Sequence, residues 1–362
     1  MKYNLVEMYV DDEIRKKVIE VIDSKRYIKG PEAKDFEREF ADYLGVKRAV
    51  TVSSGTTALH LIYYALGLGP GDEIIAPSHT FIATVSPAMH LGVKPVFADI
   101  NEKTYCIDPE DVRRKITEKT KAIVAVHLYG HPADMKALRE IADEHGLYLI
   151  EDACQAHGAE YNGQKVGNFG DATAFSFFPS KVMTVAGDGG MVAGNDGELM
   201  DKIAMLRDQG RTTKYEHTAL GFNFRMSEIL AGVGRIQLKH LDEWLKRRNE
   251  IAAIYSKELK GSCVVPDIDG DVRHSFYVYT VRVRDRGGLQ EYLKKHDIAS
   301  GIYYPIPVHL QPAIKELVTP RPLPITEKVV DEIISLPMHP FMSDEDAYFI
   351  AGKVKEFQEG QR

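Results

Sequence analysis

Over the first two thirds of the chain, short β-rich runs alternate with longer amphipathic ones, the signature of parallel βαβ units. The predicted strands are Ala49–Val52, Glu73–Ala76, Pro95–Ala98, Ala122–Val126, Leu147–Ile150, Thr173–Phe177 and Gly190–Ala193. Helices are predicted between them. Thr57–Leu66 is closed by Gly67, Pro109–Ile116 starts from Asp108 with Pro109 in its first turn, and Asp134–His145 is ended by Gly146. Helical patterns also fill Glu198–Asp208 and Ser227–Lys260. Past Gly261 the pattern changes: His274–Val283 alternates like a half-buried strand, Gly288–His296 reads as a helix, and Ser343–Gln358 as a closing helix. The expectation is a large α/β domain over residues 1–245, built on a mixed, mostly parallel sheet, followed by a smaller α+β domain over 246–362.

Charge and composition exclude several classes of partner. The 46 basic and 53 acidic residues leave a net charge of −7, with no long run of Lys or Arg. General affinity for nucleic acid or an acidic membrane is therefore not expected. No apolar stretch approaches the ~18–20 residues of a membrane span, and the first dozen residues are charged, unlike a signal peptide. Cys106, Cys154 and Cys263 are far apart and form no metal-like pairing, which points to a reducing compartment. A cytoplasmic protein is expected.

Three local patterns carry chemistry. The apolar run Leu147–Ile150 ends in Glu151-Asp152, and ligands of open α/β sheets bind beyond the carboxyl ends of the strands. A carboxylate there is either a working group or a solvated or capping acid. The run Ala174-Phe175-Ser176-Phe177-Phe178-Pro179-Ser180-Lys181 delivers a lysine beside aromatic rings. Desolvation favours a neutral amine fit for Schiff-base chemistry, although a lysine after a strand is also a common surface residue. Ser53-Ser54-Gly55-Thr56-Thr57 lies between a strand and a helix N-terminus, where free N–H groups and hydroxyls suit a phosphate, or where Thr56 simply caps the helix. Neither a G-x-G-x-x-G at this helix nor a P-loop occurs, so the phosphate belongs to neither a dinucleotide nor a P-loop triphosphate.

The segments SSGTTALHL, GPGDEIIAPSHTFIAT, PVFADI, HLYGHPADM, IEDACQAHGAEYNG, FSFFPSK, GDGGM, GFNFRMSE and YPIPVHLQP, in this order, resemble those of the DegT/DnrJ/StrS sugar-nucleotide aminotransferases, and the resemblance runs from about Tyr27 to Pro340. The resemblance implies the type I fold of pyridoxal 5′-phosphate (PLP) enzymes, with PLP as cofactor. It matches Lys181 to the Schiff-base lysine, Asp152 to the partner of the pyridinium nitrogen, and Gln155 to the residue near the phenolic oxygen. Gly55, Thr56, Thr57 and Ser176 fall in the phosphate-binding segments, and Phe81 matches the ring stacked on the pyridine. Asn223 matches a residue that reaches the phosphate of a neighbouring subunit, which implies a homodimer with shared sites. One departure is Val182-Met183-Thr184, where many relatives carry asparagine just after the lysine.

The same resemblance implies a two-stage transfer of an amino group, from L-glutamate to a keto-sugar on a nucleotide diphosphate. It points to Arg26–Pro31, Tyr304 and His309 for the sugar pocket. Two alternatives are a PLP-dependent sugar dehydratase, against which the lysine at 181 speaks because histidine replaces it in such relatives, and a regulatory relative without catalysis. His127 and His131 are spaced like a metal pair but lack an evident third ligand, so no metal is expected.

Overall fold

The computed structural model describes residues 1–268 and 270–361. Seven strands form the main sheet: β1 (Arg48–Val52), β2 (Glu73–Pro77), β3 (Lys94–Ala98), β4 (Thr120–Val126), β5 (Tyr148–Asp152), β8 (Ala172–Ser176) and β9 (Gly190–Gly194). Between β5 and β8 lie the two-residue strands β6 (Glu160–Tyr161) and β7 (Gln164–Lys165), which pair with β10 (Val272–Arg273) in a small separate sheet. The order of the main sheet is β1-β9-β8-β5-β4-β2-β3. Only β9 runs against its neighbours, so the sheet is mixed and mostly parallel, as expected. Its strands are buried on both faces, which explains why they read as continuous apolar runs.

Apolar cores cover both faces of this sheet. One holds Phe36, Phe40, Phe175 and Phe177; another packs the helix Gly55–Ala65 through Leu59 and Ile62 against Val50, Val52 and Ala174. A third core unites Ile251, Tyr255 and Leu259 with β11 (Tyr279–Arg282), β12 (Ile333–Leu336) and the closing helix Asp344–Gly360. The helix Glu228–Leu259 runs unbroken from the sheet domain into this third core, so the boundary expected at 245/246 falls within it. Tyr3, at the start of the chain, bridges to Ile298 and stacks on Phe349 of the smaller unit.

The local departures from expectation have local causes. The helix expected from Thr57 begins at Gly55, because Ser54 is its N-cap and accepts the Thr57 N–H at 3.1 Å. The strand expected over His274–Val283 shortens to Tyr279–Arg282. Ahead of it the backbone bonds to a loop instead: Ser275 and Tyr277 donate to Gly130 and Tyr129, and the His274 ring takes the Phe276 N–H. The helices Asp12–Ser24 and Pro31–Leu44 are additional to the sequence reading; Asp11 caps the first, while Pro31 starts and Gly45 ends the second.

Candidate active site

Strand β5 ends in two carboxylates that serve different ends. Glu151 is fully buried and accepts the N–H groups of Gly167, Phe169 and Gly170 at 2.9, 2.9 and 2.8 Å, and the Thr173 hydroxyl at 3.1 Å. The His127 Nδ1 accepts the Ala133 N–H, so its Nε2 carries the hydrogen that faces Glu151 at 3.0 Å. Burial pushes the Glu151 carboxyl up, but these donors outweigh it and hold the group below its ordinary range. Both ring nitrogens of His127 are thereby used within the fold.

Asp152 faces the opposite way, into a cleft of ≈310 Å3 that also takes in Gly55, Thr56, Phe81, Gln155, Ser176, Lys181 and Tyr304. It is 6% exposed, and its oxygens accept the Thr84 hydroxyl at 2.8 Å and the Cys154 N–H at 3.2 Å. Among the described residues it has no ion-pair partner. A buried carboxylate held only by neutral donors is electrostatically incomplete, and a cation in the cleft would complete it.

The phosphate end is built by the first turn of the helix Gly55–Ala65. A Cβ on Gly55 would meet Cys154 Sγ at 2.7 Å and Ser176 Cβ at 2.8 Å, so only glycine lets this turn seat against the ends of β5 and β8. Thr56 is exposed at the cleft and Ser176 lines it. Thr57 is placed otherwise. Its hydroxyl donates to the Ser54 carbonyl at 2.9 Å and receives the Ser54 N–H at 3.0 Å, so the side chain closes a capping box and does not line the cleft.

Lys181 follows β8 in a short loop held by its own N–H to the Phe178 carbonyl at 2.8 Å and by the Thr184 hydroxyl to Phe177 at 3.1 Å. Val182 and Met183, the departure noted above, are buried in the first core. The Lys181 Nζ lies 4.6 Å from the Tyr277 ring centroid, over an aromatic face contributed from after the long helix. Gln155 is oriented by the Tyr129 N–H, which its Oε1 accepts at 2.7 Å; its Nε2 therefore faces the cleft and donates to the Tyr304 hydroxyl at 3.0 Å. Burial raises the Tyr304 hydroxyl well above its usual range, so it stays a neutral phenol. The Phe81 ring lies 5.5 Å from that of Tyr304.

Other expected residues lie elsewhere. His309 is 2% exposed, with Nδ1 2.6 Å from the Ser78 hydroxyl and Nε2 3.3 Å from Glu327, and it borders a different groove with Lys94, Phe97 and Arg321. Ser78 and Glu327 tie it to the fold, and it does not line the cleft of Asp152. Asn223 is exposed and lines no part of the cleft; it bridges to Asp208, which also pairs with Arg211, Arg225 and, from the early loop, Lys29. Tyr277 lines the cleft without a local signal in the sequence, and Thr84 and Ser180 line it from within the segments GPGDEIIAPSHTFIAT and FSFFPSK, where neither was singled out.

This sheet and cleft, with a lysine, a strand-end acid and a helix N-terminus on one crevice, define an aminotransferase of fold type I. The chain belongs to the DegT/DnrJ/EryC1/StrS aminotransferase family, whose model matches residues 8–355. It is 43% identical over 361 residues to the pleiotropic regulatory protein of Geobacillus stearothermophilus, covering 98% of this chain and 97% of that one. It is also 43% identical to the dTDP-3-amino-3,4,6-trideoxy-alpha-D-glucose transaminase of Streptomyces venezuelae, covering 94% and 91%. The solved structure of S. venezuelae DesV in complex with a ketimine intermediate superposes with a TM-score of 0.94 at 42% identity, covering 96% of this chain and 94% of that one.

Proposed function

We propose that this chain binds PLP on Lys181 and moves an amino group from L-glutamate to a keto-sugar carried on a nucleotide diphosphate. The observation that carries the reading is the buried Asp152 without a cation, in one cleft with Lys181 and the N-terminus of Gly55–Ala65. The donor set fits PLP group by group. Thr56, Ser176 and the helix N–H groups suit its phosphate, Gln155 Nε2 its phenolic oxygen, Asp152 its protonated ring nitrogen, and Phe81 its ring face. Bound PLP supplies an electron sink for the carbon that carries the amino nitrogen.

The rest falls to the chain. Asp152 would hold a proton on the ring nitrogen, and Lys181, displaced as a free amine, would take the proton from the donor carbon and hand it to C4′ of the cofactor. The Tyr277, Tyr304 and Phe81 rings keep water from that amine. In this reading residues 1–245 hold the cofactor, and residues 246–362 contribute Tyr277 and Tyr304 over it. Asn223 serves the phosphate of a second copy, which makes the working unit a homodimer; its exposure away from this chain's cleft supports that assignment. The substrate class rests on relatives such as the dTDP-sugar transaminase above, and the three scattered cysteines favour a reducing, cytoplasmic setting for the reaction. Among the described residues no helix is long and apolar enough to cross a membrane.

Absorbance tests the reading. The PLP-loaded protein should show a band near ~420 nm that moves towards ~330 nm with glutamate and returns with a nucleotide-linked keto-sugar, as the conjugation of the cofactor is lost and regained. A spectrum indifferent to glutamate would sink the proposal, and keto-sugar consumption without an amino donor would favour the dehydratase.

A further inference from the structure

A strand fixes where Asp152 leaves the backbone but not how its carboxylate is turned, since the last torsion of an Asp is broad. Two donors set that torsion here. The Cys154 N–H holds Oδ1 at 3.2 Å and the Thr84 hydroxyl holds Oδ2 at 2.8 Å. An ionised carboxylate only accepts, so Thr84 must give its single hydroxyl hydrogen to Asp152. Thr80, 2.8 Å from the Thr84 hydroxyl, must then be the donor between those two. The result is a one-way chain from Thr80 through Thr84 to Asp152, with all three side chains at least nine-tenths buried.

We propose that Thr84 is a positioning residue for the reaction: its hydroxyl, itself oriented by Thr80, turns the Asp152 carboxylate towards the ring nitrogen of the cofactor. The inference rests on the assignment of Asp152 made above. Three features favour it over a bystander hydroxyl. A buried threonine commonly turns its hydroxyl back to a backbone carbonyl three or four residues earlier, whereas both partners of this one are side chains. The backbone is pinned as well, because the Tyr63 hydroxyl donates to the Thr84 carbonyl at 2.6 Å. Tyr63 lies on the helix Gly55–Ala65, so the phosphate end and the ring end of the cleft hang on one rigid element. Finally, Thr80 adjoins Phe81, so the turn that carries the stacking ring also starts the chain.

The test uses the full-length PLP-loaded protein and four forms: wild type, Thr84→Val, Thr84→Ser and Asp152→Asn. Thr84→Val keeps shape and loses a hydrogen bond to a charged group, so kcat should fall roughly tenfold or more while KM for the keto-sugar stays put. PLP affinity of the apoprotein, read by equilibrium titration, should weaken several-fold in the same variant. Thr84→Ser should restore both. Wild-type kcat and PLP affinity in Thr84→Val, beside a crippled Asp152→Asn, would overturn the role of Thr84 alone. A lower melting temperature with unchanged kcat per bound PLP would do the same, because a structural hydroxyl predicts that pattern. Full turnover in Asp152→Asn would instead remove the assignment on which the inference stands. If Thr84→Val does not fold, Thr80→Val takes its place: it removes only the outer link, and kcat should fall in the same direction by a smaller factor, with no change counting against the chain.

Discussion

Glu151 and Asp152 are neighbours at the end of β5 whose side chains leave on opposite faces of the sheet, one into a closed nest of donors and the other into the cleft. The nest holds the 165–170 turn beneath the sheet, and the cleft receives the acid that lacks a cation. Exchanging the two roles would require the whole strand to slip by one residue.

Reduction of the loaded protein with borohydride should fix a pyridoxyl group on Lys181, found by peptide mass mapping. Lys181→Ala should carry no such group and should lose roughly a hundredfold or more in transamination, the scale of a general acid–base group. An adduct on any other lysine contradicts the central assignment.

Thr56 and Thr57 should separate binding from folding. Thr57→Val opens the capping box at Ser54 and should cost about 1 kcal/mol of stability, read as a lower denaturation midpoint. Thr56→Val, at the cleft, should leave the midpoint unchanged and weaken PLP binding. Equal effects of the two on PLP affinity would mean that Thr57 turns out of its box when phosphate arrives.

Acid should destabilise the protein through His157. Burial, with Lys181 nearby, lowers this imidazole from 6.5 to about 3 in the fold. The unfolded chain therefore binds a proton that the folded one refuses, and stability is full above about pH 6.5 and drains as pH falls towards about 3. His157→Leu should flatten the fall of melting temperature across that window. The same slope in wild type and variant would assign the acid sensitivity to other groups.

Shared sites predict rescue on mixing. Lys181→Ala and Asn223→Ala subunits, co-expressed with different tags, should give heterodimers in which one site carries both defects and the other neither, with up to about half of wild-type activity. If both residues serve one site within a chain, no activity returns. Asn223→Ala alone should already be impaired, since a phosphate loses a hydrogen bond worth about 1.5–3 kcal/mol.

The parts of this protein that depend on a few neighbouring residues were legible in order along the chain. Alternating runs located every strand of the main sheet to within a residue or two, and Gly67 and Gly146 marked helix ends. The lysine after an aromatic strand and the acid after an apolar one both lie in the cleft. Competition between partners at similar sequence distance was not legible. Thr57 is taken by Ser54 three residues back, while Thr56 is left for the cleft; His309 is taken by Ser78 from a turn more than 200 residues earlier. Tyr277 over Lys181 comes from a segment with no motif of its own, and Thr84 ends the segment GPGDEIIAPSHTFIAT, whose contact with Asp152 only the fold brings about. A strand's period tells that adjacent side chains part company, but which face meets a ligand is decided only when helices and a second domain cover the other.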